Sequence, residues 1–272
     1  MQRHYRPNVE KLYQHDIRPD NAGWKYLSFA VATLAATQTL KGATGDEECV
    51  IVPLSGHATV AYGRETHTIG RDDLFRQLTD IIYLSPHTDF QITASERFEV
   101  AIGKAPALGK LPPRLIRRDE MPSFIRGDAN VARGVNVLLD SDEISERLTV
   151  YEIRPPSGNW SSFPPHRHDS RDNSSYHEET YYYRLAPADG FALQRIYTRD
   201  TDLDVAIPVA DSDLVLVHEG YHAVVNAPGT NAYYLNFLAG DVRKLKPVND
   251  PHYDWVSKQW DGNPNPIPVH AR

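Results

Sequence analysis

The chain is poor in the features that stabilise or localise many proteins by other means. It has one cysteine, Cys49, so no intrachain disulfide and no cysteine-rich metal site can form. It has no long apolar run. The most apolar-looking stretch, 26–34, is broken by Ser28 and Thr33 and is too short to span a bilayer. The first residues, MQRHYRP, lack the apolar core of a signal peptide, so the expected address is the cytoplasm. Positive charge is also short: Lys and Arg number 29 against 36 Asp and Glu, a net charge of −7. Phosphate backbones need a positive field, so nucleic acid is not expected as a partner, nor is a membrane. Glycine (16) is scarcer than proline (20), which favours turns over long helices.

What remains reads as β structure. Short runs rich in β-branched and aromatic residues recur at 26–34, 49–54, 59–62, 80–84, 90–93 and 98–102, separated by turn residues. A Pro- and Arg-rich connection over 104–130 follows. A second set then covers 135–139, 148–153, 180–185, 191–197, 214–217, 223–225 and 232–238. The tail from Lys244 is polar and Pro-rich and is expected to lie across the surface as an irregular cover.

The two sets look alike. The words EECVIVPLSG at 47–56 and EETYYYRLAP at 178–187 align with Glu48 opposite Glu179, 131 positions apart. Pro86 and His218 are 132 apart. A length of 272 residues permits one large domain or two small ones, and the repeat decides for two. The expected architecture is all-β: two tandem antiparallel barrels, 1–134 with the connection and 135–272 with the tail. The same offset puts Phe90 opposite His222, and 35–37 opposite a His-x-His pair in the second unit. The first barrel is therefore expected to lack the second one's chemistry.

Five of the 12 histidines (His166, His168, His177, His218, His222) fall within 166–222. His166 and His168, two apart in an extended segment, share one face. Glu179 opens the next strand, and His222 follows a glycine turn at Gly220. Three imidazoles and one carboxylate suit a divalent first-row metal with positions left for substrate; manganese or zinc is expected, and iron also fits.

The words around these residues are more specific. SGNWSSFPPHRHD at 157–169, EETYYY at 178–183, GFALQRIYTRD at 190–200, GYH at 220–222 and YYLNFLAG at 233–240 closely resemble the 5-deoxy-glucuronate isomerases of myo-inositol catabolism. Those enzymes are cupins related to 5-keto-4-deoxyuronate isomerase. The resemblance is strong over 148–260 and consistent in layout over 20–140. It implies a bicupin with jelly-roll barrels whose second barrel holds the metal through His166, His168, Glu179 and His222. Ten residues separate His168 from Glu179 where cupins usually have about five. This implies a loop over the site mouth and leaves Glu178 and Glu179 to be distinguished; the distance to the following turn favours Glu179. His218 stands where the usual turn has proline.

The implied reaction is an aldose–ketose isomerisation of a sugar acid. It needs a group to carry a proton between adjacent carbons, unless a hydride shifts directly. Glu178, His177, Tyr181 and Tyr183 are the nearby candidates. The substrate carboxylate wants an arginine fork, with Arg195 first and Arg184 second. Gln194, Tyr234 and Asn236 can bond sugar hydroxyls. Alternatives of other classes are a metal-dependent bicupin dioxygenase and a non-catalytic sugar-acid-binding bicupin. Barrel edges and the tail leave room for a homo-oligomer interface.

Overall fold

The computed structural model of the chain describes residues 2–259. The first half contains β1 (His4–Tyr5), β2 (Tyr13–Ile17), β3 (Ser28–Leu34), β4 (Thr39–Ala43), β5 (Glu47–Tyr62), β6 (Glu65–Arg71), β7 (Ile81–Leu84), β8 (Asp89–Ala94), β9 (Phe98–Pro106) and β10 (Arg114–Ile116). The second contains β11 (Ser123–Arg126), β12 (Arg133–Leu139), β13 (Thr149–Arg154), β14 (Trp160–Arg167), β15 (His177–Ala186), β16 (Ala192–Tyr197), β17 (Asp204–Val209), β18 (Leu214–Val217), β19 (Tyr221–Asn226), β20 (Asn231–Gly240) and β21 (Val248–Asn249). Two short α-helices, α1 (Pro19–Ala22) and α2 (Asp254–Gln259), complete it. Among the described residues no helix is long and apolar enough to cross a membrane.

Every pairing between these strands is antiparallel, and the two halves repeat one layout. β2-β3-β9-β5-β7 in the first half matches β12-β13-β20-β15-β18 in the second. The far end of β5 pairs with β6 and β8, and β8 with β4; in the second half β16 pairs with β17 and β19, and β19 with β14. Sheet membership does not follow a boundary at 134. β1, at the very start, adds to β18 of the second unit, and β11 adds to β12. The connection over 104–130 thus contains β10, β11 and the end of β9 rather than being bare linker.

Three apolar clusters hold the molecule. One lies inside each unit and the third, the largest, lies between them. Strand alternation assigns side chains to these layers. On β15, Tyr181 and Tyr183 face the second unit's interior while Tyr182 enters the interface. On β5, Cys49 and Ile51 face the first interior while Val50 and Val52 enter the interface.

Two carboxylates stitch the units reciprocally. Glu178 accepts the backbone N–H groups of Lys25 (2.6 Å), Tyr26 (3.0 Å) and Leu27 (2.8 Å), plus the Tyr176 hydroxyl (3.1 Å). Glu48 accepts those of Glu146 (2.7 Å), Arg147 (2.7 Å) and Leu148 (2.6 Å), plus the Tyr83 hydroxyl (2.9 Å). Glu48 is therefore the counterpart of Glu178, not of Glu179. The strand offset is 130, and Cys49 occupies the position of Glu179. A buried ion pair adds to the seam: Arg71 Nη2 lies 2.6 Å from Glu152 Oε1, both fully buried.

Candidate metal centre and its cavity

The interior of the second unit converges on His166, His168 and His222, whose ligand nitrogens lie within 4.8 Å of one another. His166 on β14 and His222 on β19 are direct cross-strand partners, with ring centroids 4.5 Å apart. His168 follows the end of β14, and Glu179 comes from β15. Glu179 Oε2 lies 2.9 Å from His168 Nε2 and 3.3 Å from His222 Nε2. Gly220, with φ of 89°, makes the turn that presents His222; an added Cβ would meet Tyr197 O at 2.6 Å.

Backbone carbonyls set the imidazoles. His168 Nδ1 lies 2.9 Å from His177 O, and His222 Nδ1 lies 3.3 Å from Gly220 O. These contacts turn Nε2 of each ring inward toward Glu179, the orientation a metal ligand needs. Burial, followed by the neighbouring His222 and His168 rings, holds His166 well below the usual histidine range, so it is neutral near pH 7. Burial alone would raise Glu179, but its contacts with His168 and His222 overcome this and keep it ionised.

This donor set fits a divalent cation. His222 Nε2 is buried and makes no hydrogen bond; its 3.3 Å approach to Glu179 lacks the geometry of one. Ligands about 2.0–2.2 Å from one ion sit roughly 3.0–3.4 Å apart, close to the Glu179 distances observed. Three imidazoles and a carboxylate are the donor types such an ion binds.

A cavity of about 510 Å³ opens onto the cluster through His166 and Glu179. That volume suits a small-molecule ligand. Its wall includes Tyr151, Ser161, Ser162, Tyr181, Tyr234 and Asn236, with Arg126, Asp128 and Arg133 on one side and Leu245, Pro247, Asn249 and Val256 on another. Tyr181 Oη is 3.3 Å from Ser162 Oγ; Tyr234 pairs with Ser161. Asn236 Nδ2 donates to Thr180 O at 2.9 Å. Between Ser161 and His166 β14 has more residues than β19 opposite, and the excess bulges into the wall.

Several residues singled out in the sequence lie elsewhere. Glu178 faces the first unit, so strand alternation separates it from Glu179. His177 is buried with Nδ1 on Ser175 Oγ (3.0 Å); it meets the cluster through its carbonyl and through edge-on packing of its ring on His168, and it does not line the cavity. Tyr183 stands behind Tyr181 and donates to Gln194 Oε1 at 2.8 Å; both lie outside the cavity wall. Arg195 is on the outer face of β16, forked onto Asp204 at 2.7 and 2.8 Å. Arg184 is spent on Glu99 and Asp211. Neither arginine reaches the cavity, because strand alternation turns Gln194 inward and Arg195 outward.

The insertion after His168 does not cover the mouth. Asp169 accepts from Arg167 and from Gly220 N (2.8 Å), which folds the loop back. The rim is instead built from the 126–133 loop and the segment around β21 and α2. His218 bonds Ala22 O at 2.9 Å and packs on Trp24, which ties the N-terminal segment down. The tail forms β21 and α2 on the way, while its Trp260, Pro264, Pro266 and Pro268 lie outside the described residues.

The first unit carries no such cluster among the described residues. Gly42 pairs with Phe90 as His166 pairs with His222. Gly42, not 35–37, is thus the counterpart of His166. A Cβ there would lie 2.4 Å from Phe90 Cζ, so the phenyl ring fills that space.

Comparison with known proteins agrees with this layout. A family model described as the KduI/IolB family matches residues 2–256. A 5-deoxy-glucuronate isomerase of Geobacillus kaustophilus is 42% identical over 246 residues, 88% of this chain and 89% of that protein. One from Bacillus subtilis is 38% identical over 262 residues, 94% of this chain and 96% of that protein. The crystal structure of an IolB-like protein from Salmonella typhimurium superposes with a TM-score of 0.91 at 34% identity, covering 94% of this chain and 100% of that one. An oxalate decarboxylase of Lactobacillus farciminis, 9% identical with a TM-score of 0.68, covers 95% of this chain and 91% of its own, and shares the fold alone.

Proposed function

The chain belongs to the KduI/IolB family, and from that membership we propose that it is a cytoplasmic metal-dependent aldose–ketose isomerase. Its substrate is 5-deoxy-D-glucuronate and its product 2-deoxy-5-keto-D-gluconate, a step of myo-inositol catabolism. The observation that carries this reading is the four-donor cluster of His166, His168, His222 and Glu179 on the floor of a cavity whose wall also carries Tyr181, Tyr234, Asn236 and Arg133. It sits in a chain 42% identical to a protein named as that isomerase.

A divalent ion (manganese, zinc or iron) bound there supplies Lewis-acid polarisation of the sugar carbonyl and the adjacent hydroxyl. The rest falls to the chain. Glu179 is committed to the histidines, and Asp128 accepts from the backbone N–H of Ala129. Beside His222 the wall presents the hydroxyls of Tyr181 and Ser162, which can handle protons. Tyr181, of the four candidates named from sequence, is the one in the wall. Burial keeps its hydroxyl protonated, and with Ser162 it can pass the substrate's hydroxyl proton to the carbonyl oxygen. The C2 hydrogen then moves to C1 with its electron pair, as a hydride, while C2–O becomes the new carbonyl, so no base at carbon is needed. Tyr234 and Asn236 hold sugar oxygens.

Anaerobic incubation with 5-deoxy-glucuronate, followed by NMR, tests the reading. Loss of the aldehyde signal with ketone formation is expected, together with one divalent metal per chain. His168→Ala is expected to lose both. Turnover that requires oxygen, or a His168→Ala variant that keeps its metal, would overturn it.

A further inference from the structure

We propose that Arg133 is the residue that selects a sugar acid in this cavity, by forking onto the substrate carboxylate while the reacting end meets the histidine cluster. The inference rests on the isomerase reading of the cavity and names the group that fixes its substrate class. Arg133 opens β12 and lines the cavity with Tyr181, Tyr234 and His166. Its Nη1 donates to Val131 O at 2.9 Å, with Arg126 O at 3.5 Å. No carboxylate among the described residues pairs with it.

That is unusual for this molecule. The other arginines removed from solvent have such partners: Arg71 with Glu152, Arg154 with Glu152, Arg167 with Asp169, Arg184 with Glu99, Arg243 with Asp140. Arg147, which lacks one, is satisfied by the carbonyls of Pro106 and Gly240 and by the Tyr26 ring. Arg133 instead keeps donors for whatever enters the cavity. Burial and the neighbouring Arg126 both work against its charge, so an incoming anion relieves a cost already present.

The loop is shaped to hold it. Gly127 has φ of 79°, and a Cβ there would lie 2.4 Å from Val131 O and 2.9 Å from Arg133 Nη1. Asn159 Nδ2 donates to Ala129 O (3.1 Å) and Ala132 O (2.8 Å), pinning the loop to the second unit. A guanidinium held in place loses little freedom when it forks onto a carboxylate. A lysine could not reproduce that fork.

The test uses binding by calorimetry to the metal-loaded protein, with glucuronate and its neutral isostere glucuronamide as probes. The wild type is expected to prefer the acid. In Arg133→Met that preference is expected to vanish through roughly 30-fold weaker glucuronate binding, the loss of a paired charge-assisted contact. Glucuronamide binding and the metal content stay unchanged. Arg133→Lys is expected to recover part of the preference, and Arg195→Ala to behave as wild type. A wild type without preference, or an Arg133→Met protein that keeps it, overturns the inference. If Arg133→Met also loses thermal stability, Arg133→Lys decides: full wild-type preference there removes the fork. Absence of turnover with a preserved acid preference would count against the isomerase reading instead.

Discussion

Glu178 and Glu179 are neighbours in sequence, yet the structure gives them opposite duties, and that can be measured. Glu178→Gln keeps the side-chain shape but replaces one oxygen with an NH2 group among donors. Glu178 receives three backbone N–H bonds of 2.6–3.0 Å from 25–27. Hydrogen bonds to a charged group contribute about 1.5–3 kcal/mol each, and they do not add fully. A net loss on the order of 3 kcal/mol is expected, which lowers Tm by about 6–12 °C in a domain of this scale. Metal content and kcat should stay near wild type. Glu48→Gln, remote from the cavity and bonded in the same way, should show the same loss. Glu179→Gln should do the reverse: metal is lost while the unit interface survives. Calorimetry, metal analysis and the NMR assay on the three variants read this out. If Glu178→Gln loses metal or activity at an unchanged Tm, the assignment of the two carboxylates is wrong.

The other expectations concern titration and access. Burial alone would raise Glu152, but Arg71 and Arg154 outweigh it and hold it at about 2. Its stabilisation is thus present above the ordinary carboxylate range and is lost as pH falls towards 2. The gap in unfolding free energy between wild type and Glu152→Gln, from urea titrations, should narrow between pH 5 and pH 2; a constant gap refutes the pairing. Burial pushes the Cys49 thiol up to about 12. A thiol reagent at pH 8 should therefore leave Cys49 unmodified in the folded protein and label it in urea; prompt labelling without denaturant contradicts its position.

Much of this was legible in the residues, and the failures have physical causes. His166, His168, Glu179 and His222 stand out because a metal needs specific donor types at strand spacing, which survives in one dimension. The duplication was also visible, but its register slipped by one. Glu48 looked like Glu179 because both follow a glutamate, whereas the hydrogen bonds to Glu48 are those of Glu178. A slip of one residue exchanges the two faces of a strand. Arg195 was named for its guanidinium alone, with no face assigned to it, and alternation sends it outward. Arg133 was missed for another reason. The stretch from 104 to 130 is Pro- and Arg-rich and polar, so it read as connection. β10 and β11 within it are edge strands of three and four residues with no apolar alternation to reveal them. Only the tertiary fold shows that the loop leading from β11 closes on the cavity.

The asymmetry between the units follows from the same chemistry that builds the site. Clustered imidazoles and a carboxylate are costly inside a barrel unless an ion pairs with them. A unit that gives up the ion is therefore expected to give up all its donors together. The first unit carries none of these donors at the matching positions: Gly42, Cys49 and Phe90 stand where His166, Glu179 and His222 do, and Cys49 and Phe90 belong to its apolar cluster. A single Phe90→His change would not recreate a site, because it would place one imidazole among apolar side chains and leave a void beside Gly42. What both units retain is the outward-facing carboxylate, Glu48 or Glu178, since its partners are backbone groups of the other half. The interface is thus maintained from both sides, while the histidine cluster and its cavity lie in one.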